Sequence, residues 1–269
     1  MAIIMLSRGR FTGGRELAQS LAGKLGYRFI SREDIIEKTA QYGISKERLD
    51  RARRRRVGML QRMDQEWIHY RVYARAALAK EIQQGSIVYL GSNGPALLRD
   101  FPTLLSVKVA ADMEYRINSL IKHTDYVIDR KKARGLIEEI DKKKTSWQKK
   151  LHDTSWHDPS EFDVVVEPEL MSISGACELI LAKLKHPQYH TTNKSLEAID
   201  LLTVAADLRA KIAMEDAVED DRVEVEVRDG EIAITGLVPS TEDRHGILEL
   251  LDLKPEAKEA VGHFKTLAV

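Results

Sequence analysis

The sequence has little cysteine, few aromatic residues and no long apolar segment. Its one cysteine, Cys177, excludes an internal disulfide and any metal site built from several cysteines. The longest apolar runs, at 2–6 and 87–90, are far shorter than the roughly 20 residues that a membrane-spanning helix needs. We therefore expect a chain without disulfides that does not insert into membranes.

The N-terminal residues lack the features of a secretory signal peptide. No basic stretch precedes a long apolar segment, and no small-residue cleavage site follows one. Hydrophobic residues make up 43% of the chain and charged residues 31%, which is typical of a soluble globular protein. We therefore expect a cytoplasmic protein.

The net charge of zero conceals two oppositely charged parts. Residues 1–195 carry ten more basic than acidic side chains, and residues 196–269 carry ten more acidic than basic ones. A polar stretch at 186–195 has no apolar periodicity, as expected for a linker. We predict two domains, one at 1–185 and one at 196–269, joined by this linker.

Short apolar runs alternate with amphipathic segments in the first part of the chain. Strands are predicted at 2–6, 27–30, 86–90, 104–110 and 163–166. Helices are predicted at about 17–25, 32–42, 46–83, 112–122, 129–151 and 173–185. This alternation predicts an α/β fold with a parallel sheet that has helices on both faces.

The acidic C-terminal part has a different pattern. Valines alternate with charged residues over 223–227, and isoleucines alternate over 232–234. Asp229 and Gly230 between the two runs are typical of a tight hairpin turn, because glycine adopts positive φ without steric cost. The other elements of the predicted αββαβ unit are helices at 195–214 and from about 241, and a strand near 263–268.

A glycine-rich segment joins the first predicted strand to the first predicted helix. At such a turn backbone N–H groups converge on phosphate, and the helix N-terminus adds partial positive charge. Gly9 and Gly14 fit the phosphate-loop pattern G-x-x-x-x-G-K-[ST]. Arg15 stands at the lysine position and can bind phosphate oxygens. Glu16 stands at the position of the hydroxyl that binds Mg²⁺, which it cannot replace without changing the charge of the site, and Thr12 is the nearest alternative hydroxyl. On spacing alone, a turn without a ligand remains the alternative.

Further segments follow this loop in an order typical of one enzyme family. They are Ser7-Arg-Gly9, Gly13-Gly-Arg-Glu-Leu-Ala18, Leu25-Gly-Tyr-Arg-Phe-Ile-Ser-Arg-Glu33, Gly91-Ser-Asn-Gly94, Leu98-Arg-Asp-Phe-Pro102, Ala110-Ala-Asp-Met-Glu-Tyr-Arg116, Asp141-Lys-Lys-Lys144, Trp156-His-Asp158 and Phe162-Asp-Val-Val-Val166. Together they resemble the cytidylate kinase-like branch of the nucleoside monophosphate kinases over residues 2–185. In that branch Gly-Gly-Arg-Glu commonly replaces Gly-Lys-Ser/Thr.

The resemblance implies roles for individual residues, with ATP and Mg²⁺ as cofactors. The residues that would surround the ATP phosphates are Gly9, Thr12, Gly13, Gly14, Arg15 and Glu16. The cations that would act on the transferring phosphoryl group are Arg15, Arg116 and Lys144. The residues that would bind the monophosphate substrate or complete its pocket are Ser31, Arg32, Ser92, Asn93, Arg99 and Asp141. No residue set that would bind a metal by itself is expected.

Two positions depart from the family pattern. Ser92 stands where most relatives have arginine, and Lys144 stands where the lid arginine is usual. Lysine keeps the charge but loses the planar fork of the guanidinium. The leading hypothesis is therefore ATP-dependent phosphoryl transfer to CMP or dCMP. The alternative is a nucleotide-binding regulator with weak or no catalysis, whose C-terminal domain binds a partner.

The C-terminal pattern, with Asp229-Gly-Glu-Ile-Ala-Ile-Thr-Gly236 at its centre, resembles the BON domain of bacterial envelope proteins, channels and regulators. The resemblance covers 196–269. An acidic module is not attracted to anionic lipid, so we expect a protein, a small ligand or the basic part of the same chain as its partner. In the last case it would compete with ATP phosphates. A structural appendage or a homo-oligomer contact remains the alternative.

Two basic runs have both a functional and a plain structural interpretation. The arginines at 51–56 would suit nucleic acid, but no aromatics are interleaved with them, so a solvated helix is expected and no nucleic-acid partner. The lysines at 142–144 and 149–150 would serve either a lid or a solvated helix face.

Overall fold

The computed structural model describes seven stretches of the chain, at 2–42, 60–91, 97–124, 127–152, 159–214, 223–238 and 261–266. The chain forms two compact units. The first consists of Met1–Arg32, Gly85–Arg99 and Thr103–Thr191, and the second of Glu33–Gln84, Asp100–Pro102 and Thr192–Val269.

The first unit is built around a parallel sheet. Its strands are β1 (Ile3–Arg8), β2 (Arg28–Ser31), β3 (Ile87–Leu90), β4 (Leu104–Val109) and β5 (Val164–Val166). They lie in the order β2-β3-β1-β4-β5, and every pairing is parallel. Ile4 pairs with Val88 on one side and with Leu105 on the other. The predicted α/β fold with a parallel sheet is confirmed.

Burial of the central strand on both sides explains its unbroken apolar sequence. Ile4 and Leu6 are fully buried in the main core, where they meet helix α1 (Gly14–Leu25) and helix α6 (Ile173–Leu184). Cys177 of α6 lies in the same core as a free thiol. A strand with both faces covered gains from continuous apolar side chains instead of alternation. Cys177 therefore contributes to packing as a small apolar side chain.

Helices α4 (Met113–Lys122) and α5 (Arg130–His152) form a second apolar cluster in the first unit. Ile117 and Leu120 of α4 meet Ala133 and Ile137 of α5. The Asp112 side chain begins α4 by accepting a hydrogen bond from the Tyr115 N–H. Because these apolar contacts fix α4 against α5, the polar side chains that the two helices carry next to the cluster are also held in place relative to each other.

The second unit combines helices from distant parts of the sequence with a small sheet. The elements are α2 (Arg32–Lys38), α3 (Leu60–Gln83), α7 (Asn193–Ile212), β6 (Val223–Arg228), β7 (Glu231–Val238) and β8 (Val261–Thr266). β6 and β7 form an antiparallel hairpin, and β8 pairs parallel to β7. Asp229 and Gly230 turn the hairpin with φ of 53° and 86°, as the predicted tight turn requires.

Helix α7 is buried on two sides within this unit. Toward the hairpin, Leu208 and Ile212 pack against Ile232 and Ile234. On another side α7 runs along α3, where the Thr203 hydroxyl donates to the carbonyl of Ala79. No helix in the described part of the chain is long and apolar enough to span a bilayer.

The segment at 186–195, predicted as a linker, has regular local structure. A 3₁₀ turn covers Pro187–Tyr189, and Tyr189 is 3% exposed in the core of the first unit. Thr192 and Ser195 form a reciprocal capping box that begins α7 at Asn193. The domain boundaries at 185 and 196 stay predictions. The predicted helical residues 46–59 and the predicted helix from about 241 lie outside the described residues.

Candidate functional site

The glycine-rich loop lies at the carboxyl end of the central strand. β1 is flanked by β3 and β4, and the chain leaves β1 toward β2 on one side but reaches β4 on the other. Such a reversal of strand order opens a crevice at the carboxyl ends of the strands, where ligands of open α/β sheets bind. The loop at Gly9–Gly13 and the beginning of α1 are at this crevice.

The backbone of the loop prepares the N-terminus of α1 for an anion. Gly13 caps the helix in the left-handed conformation, with φ of 72°, and no side chain caps the first turn. Phe11 is also left-handed, with φ of 65°, which is uncommon for a bulky residue. Its side chain packs against the apolar cluster of α4 and α5. Packing therefore holds the loop in a conformation that Phe11 alone would disfavour.

Two glycines of the predicted motif are required by their neighbours. A Cβ on Gly14 would lie 2.7 Å from Cδ of Arg8, whose side chain crosses the start of α1. A Cβ on Gly9 would lie 3.3 Å from Cγ2 of Thr12 and 3.6 Å from Cζ of Arg116. Gly14 thus makes room for Arg8, and Gly9 allows Arg116 to approach the loop backbone.

Thr12 closes the loop on itself. Its side chain is 1% exposed, and its Oγ1 donates to the carbonyl of Gly9 at 3.1 Å. Arg15 and Glu16, on the first turn of α1, are exposed instead. The Arg15 guanidinium lies 5.6 Å from the centre of the Phe29 ring. The two charged residues of the motif therefore face solvent at the helix N-terminus, while the hydroxyl is internal.

Arg116 joins helix α4 to the loop. Its Nε donates to the carbonyl of Arg10 at 3.0 Å. Its Nη1 and Nη2 donate to the two carboxylate oxygens of Asp141 at 2.7 and 2.9 Å. This is the bidentate geometry that makes arginine suited to carboxylate and phosphate. The structure thus brings Arg116 and Asp141 together, two residues that are far apart in the sequence.

Lys144, one helical turn after Asp141 on α5, reaches the same loop. Its Nζ donates to the carbonyl of Arg8 at 2.8 Å. Burial lowers the pKa of Lys144 to about 7; Asp141 opposes this shift, and the charges of Arg116, Arg8 and Lys108 reinforce it. The charge of Lys144 therefore depends on its burial and on the charged groups around it.

Lys108 belongs to the same group of charges, although the sequence motifs did not include it. It lies on β4, in register with Ser7 of β1, and is 7% exposed. Its Nζ is 5.7 Å from the centre of the Phe162 ring. A lysine inside the otherwise apolar strand Leu104–Val109 was the available signal, because a buried lysine requires compensating partners.

The predicted substrate residues are placed only in part. Ser31 ends β2 and is buried, and Arg32 begins α2. Arg99 is exposed, with Nη2 at 3.5 Å from the carboxylate of Glu161. Ser92 and Asn93 lie outside the described residues. Gly91, just before them, lies under the Tyr89 phenol and has no space for a Cβ.

Two other observations bear on ligands. In the described stretches, no group of three His, Cys, Asp or Glu side chains is arranged to hold a metal ion. A groove of about 850 Å³ lies beside the amino ends of β1 and β2, with Ala2, Leu25, Tyr27 and Tyr189 in its wall. It is at the other end of the sheet from the glycine loop, so it is not the candidate phosphate site.

The sheet order and the glycine loop after its central strand define an α/β fold of the P-loop kinase type. A model of the cytidylate kinase-like family matches residues 3–169, which is more than half of the chain, and the chain belongs to this family. A model of the BON domain matches residues 200–252. Both resemblances seen in the sequence are confirmed. The comparison with curated proteins finds no match.

The chain is similar to several solved structures at low sequence identity. An uncharacterized protein from Eubacterium ventriosum is 18% identical, with a TM-score of 0.51 over 67% of this chain and 96% of that one. A shikimate kinase from Bacteroides thetaiotaomicron is 11% identical, with a TM-score of 0.44 over 69% and 99% of the two chains. A gluconokinase from Sinorhizobium meliloti is 12% identical, with a TM-score of 0.41 over 68% and 91%. At 18% identity, the similarity to the protein from Eubacterium ventriosum concerns the fold alone.

Proposed function

We propose that the protein transfers a phosphoryl group from ATP to CMP or dCMP with the help of Mg²⁺. The observation that carries the proposal is the meeting of two cations at the loop. Arg116 from α4 and Lys144 from α5 both donate to loop carbonyls, those of Arg10 and Arg8. Phosphoryl transfer depends mainly on positioning and on cations around the transferring group.

In this proposal the loop binds the ATP phosphates through its backbone. The N–H groups around Gly13 and Gly14 receive phosphate oxygens at the start of α1. Arg15, exposed on the first turn, adds a side-chain cation. Arg116 and Lys144 exchange part of their present contacts with the loop backbone for contacts with phosphate. Asp141 keeps the guanidinium of Arg116 oriented through the two hydrogen bonds that it accepts.

Mg²⁺ would bind at this site together with the nucleotide. Mg²⁺ keeps several waters and binds mainly phosphate with one or two carboxylates, so a cluster of protein ligands is not needed. Thr12 is internal and bonded to Gly9, which leaves the exposed carboxylate of Glu16 as the residue that would face the ion. When bound, Mg²⁺ would neutralise charge on the phosphates.

The monophosphate would lie beside the carboxyl ends of β2 and β3. Ser31 and Arg32 follow directly from β2, and Gly91 follows from β3. Arg99 is exposed and would pair with the substrate phosphate after leaving Glu161. Ser92 and Asn93, which lie outside the described residues, stay predicted substrate residues.

A turnover assay tests the proposal. Purified protein is mixed with ATP, Mg²⁺ and each nucleoside monophosphate in turn, and ADP release is measured. We expect release with CMP or dCMP, and a loss of about 10²-fold or more in Arg116→Ala. Lys122→Ala, an exposed residue at the end of the same helix, is the control and should keep full activity. Absence of turnover with every monophosphate would refute the kinase proposal.

A second candidate function is a nucleotide-binding regulator without turnover. Glu16 in place of the metal-binding hydroxyl and Lys144 in place of the lid arginine favour it. Thermal unfolding with and without nucleotide distinguishes the two, since a ligand at 100 times its dissociation constant adds about 2.7 kcal/mol. Stabilisation by ATP without turnover favours the regulator, and no stabilisation by any nucleotide eliminates both.

A further inference from the structure

Several basic side chains act on Lys144 at the loop. Lys144 comes from α5, and the charges of Arg8 from β1, Lys108 from β4 and Arg116 from α4 all oppose its charge, while that of Asp141 favours it. Like charges in a desolvated site repel strongly, and the group that can most readily lose its charge does so.

Lys144 is the group in this cluster that can change its charge. The guanidinium groups of Arg8 and Arg116 stay protonated in proteins. The Lys144 amine donates to a backbone carbonyl, that of Arg8, and this contact is available to both the neutral and the charged amine. Its pKa, about 7 because of burial, leaves it roughly 90% neutral at pH 8.

A polyphosphate bound at the loop would favour the protonated form of Lys144 over the neutral form. Its oxygens bring several negative charges to the start of α1, close to the carbonyls on which Arg116 and Lys144 now end. An opposite charge within a few ångströms favours the protonated form of an amine. We propose that the loop binds a polyphosphate together with one proton, and that Lys144 is the group that takes up the proton. This inference rests on the proposed phosphate site but not on catalysis.

Lys108 is a positioning residue that affects the protonation of Lys144 through its charge. It is buried on β4 beside the loop strand and opposes the protonation of Lys144. Burial lowers the pKa of Lys144 most, and Lys108 contributes less to this shift than Arg116 and Arg8. Removing Lys108 would therefore raise the pKa of Lys144 only in part, and binding would still take up a proton.

The linkage has a defined sign. Between the pKa of Lys144 in the free protein and its higher value in the complex, binding takes up a proton, so affinity falls as pH rises through this window. The limiting loss is about tenfold in affinity per pH unit above about pH 7, since one proton accompanies each ligand.

Titration calorimetry at pH 8.0 tests the inference with the full chain. Tripolyphosphate and ATP, both without Mg²⁺, are titrated in two buffers of different ionisation enthalpy, and the slope of the measured enthalpy gives the protons taken up. At this pH the terminal phosphate of ATP is ionised already, because the second pKa of a phosphate monoester is about 6. Free tripolyphosphate still holds part of its last proton, so ATP gives the proton count and tripolyphosphate tests binding alone. We expect about 0.9 proton for the natural chain with ATP, and about zero for Lys144→Arg with binding retained.

Each outcome decides the inference. Binding of ATP with less than about 0.2 proton overturns it and leaves the proposed kinase untouched. Full uptake in Lys144→Arg assigns the proton to another group and also overturns it. Absence of ATP binding overturns it, and absence of tripolyphosphate binding as well removes the phosphate site. Proton-linked binding of ATP without ADP release in the turnover assay supports it while refuting the kinase. If Lys144→Arg fails to fold by circular dichroism, Lys144→Gln takes its place and should also take up about zero proton.

Discussion

Lys80 of α3 and Asp207 of α7 form an ion pair of 2.6 Å in the second unit. The Asp207 carboxylate is buried, and it also accepts a hydrogen bond from the phenol of Tyr42 at 3.2 Å. Burial works against the charge of Lys80, but the bonds to Asp207 and Tyr42 outweigh it and raise the pKa of Lys80. The first helix of the C-terminal segment is thus bound, through buried polar contacts, to a helix within the span that the kinase family matches.

Replacing the buried carboxylate should destabilise the protein. Asp207→Ala leaves Lys80 and Tyr42 without their shared partner, and we expect a loss of about 2–3 kcal/mol in unfolding free energy. This is below the usual cost of breaking a fully buried pair, because the Lys80 side chain is 37% exposed. Asp200→Ala on the same helix is the control, since Asp200 is exposed and bonds only the exposed Gln83 among the contacts described. Equal losses in urea denaturation would contradict the assigned role of Asp207.

The same network predicts instability at alkaline pH. The pKa values of Lys80 and of Tyr42 are raised in the folded chain, Tyr42 chiefly by burial. A group whose folded pKa is raised contributes stability below its unfolded pKa, near 10 for both, and loses it as pH rises through the folded value. We expect the melting temperature to fall above about pH 10, and less steeply in Asp207→Asn. A parallel decline in the two proteins would show that other groups cause it.

Removing α7 should damage the second unit as a whole. The Tyr73 hydroxyl on α3 donates to the carbonyl of Ala213 at 2.9 Å, and the Tyr73 ring stacks on Tyr42. Deletion of 192–269 takes away Ala213 and exposes the face of α3 along which α7 packs, so we expect aggregation or loss of the thermal transition. Deletion of 239–269, which keeps α7 and the β6–β7 hairpin, should cost less. Full solubility and an unchanged melting temperature after the longer deletion would refute the structural role.

Deletion of 192–269 does not by itself show whether the acidic part of the chain competes with nucleotide. Because α7 is packed into its own unit on two sides, the deletion removes structural support along with nine net negative charges. Charge variants on the exposed positions Glu224 and Glu226 of β6 separate the two effects, since those side chains are not in the core of the unit.

Local sequence patterns predict the fold, but they predict only part of the candidate site. Apolar runs such as Ile87–Leu90 mark strands because each is buried along its whole length, and Asp229 with Gly230 marks the hairpin because the turn needs positive φ at both. Gly9, Gly14 and Arg15 are recognisable because a phosphate loop needs these residue types at these spacings.

The contacts that could not be predicted join residues far apart in sequence. Lys108 has no motif around it, and its position next to Lys144 depends on the pairing of β4 with β1. The contact of Tyr42 with Asp207 spans 165 residues and follows from the packing of α7 on α3. The stretch at 186–195 has no apolar periodicity, yet Tyr189 is in the core, since a single aromatic side chain suffices to anchor it.

A Cβ at the start of α1 should disturb the loop through Arg8. In Gly14→Ala the new methyl would lie 2.7 Å from Cδ of Arg8, which must move, and we expect a loss of about 1–3 kcal/mol in stability. Gly23→Ala on the same helix is the control, because nothing lies within 4 Å of its Cβ position. That change should stabilise by about 0.5–1 kcal/mol. Weaker ATP stabilisation in Gly14→Ala alone would place Arg8 at the phosphates, and equal effects in both variants would not.

Neutralising Asp141 should make the protein less stable by itself and more responsive to phosphate. Asp141→Asn removes a negative charge that favours the protonated Lys144 and one of the two charge-assisted bonds to Arg116, so we expect a loss of about 1–3 kcal/mol without anions. A bound phosphate would then replace the missing negative charge. Tripolyphosphate should therefore raise the melting temperature more in Asp141→Asn than in the natural chain.

The matched control for this change is Glu138→Gln, an exposed residue on the same helix. It alters the net charge by the same amount without touching Arg116 or Lys144, so its response to tripolyphosphate should equal that of the natural chain. Both melting series are run at 0.01 M and 0.15 M salt, because the screening length falls from about 30 Å to about 8 Å between them. The partly buried cluster is screened weakly, so the excess shift in Asp141→Asn should persist at the higher salt. If the excess shift vanishes at 0.15 M, or if Glu138→Gln shows it as well, the effect comes from overall charge and Asp141 does not balance a phosphate site.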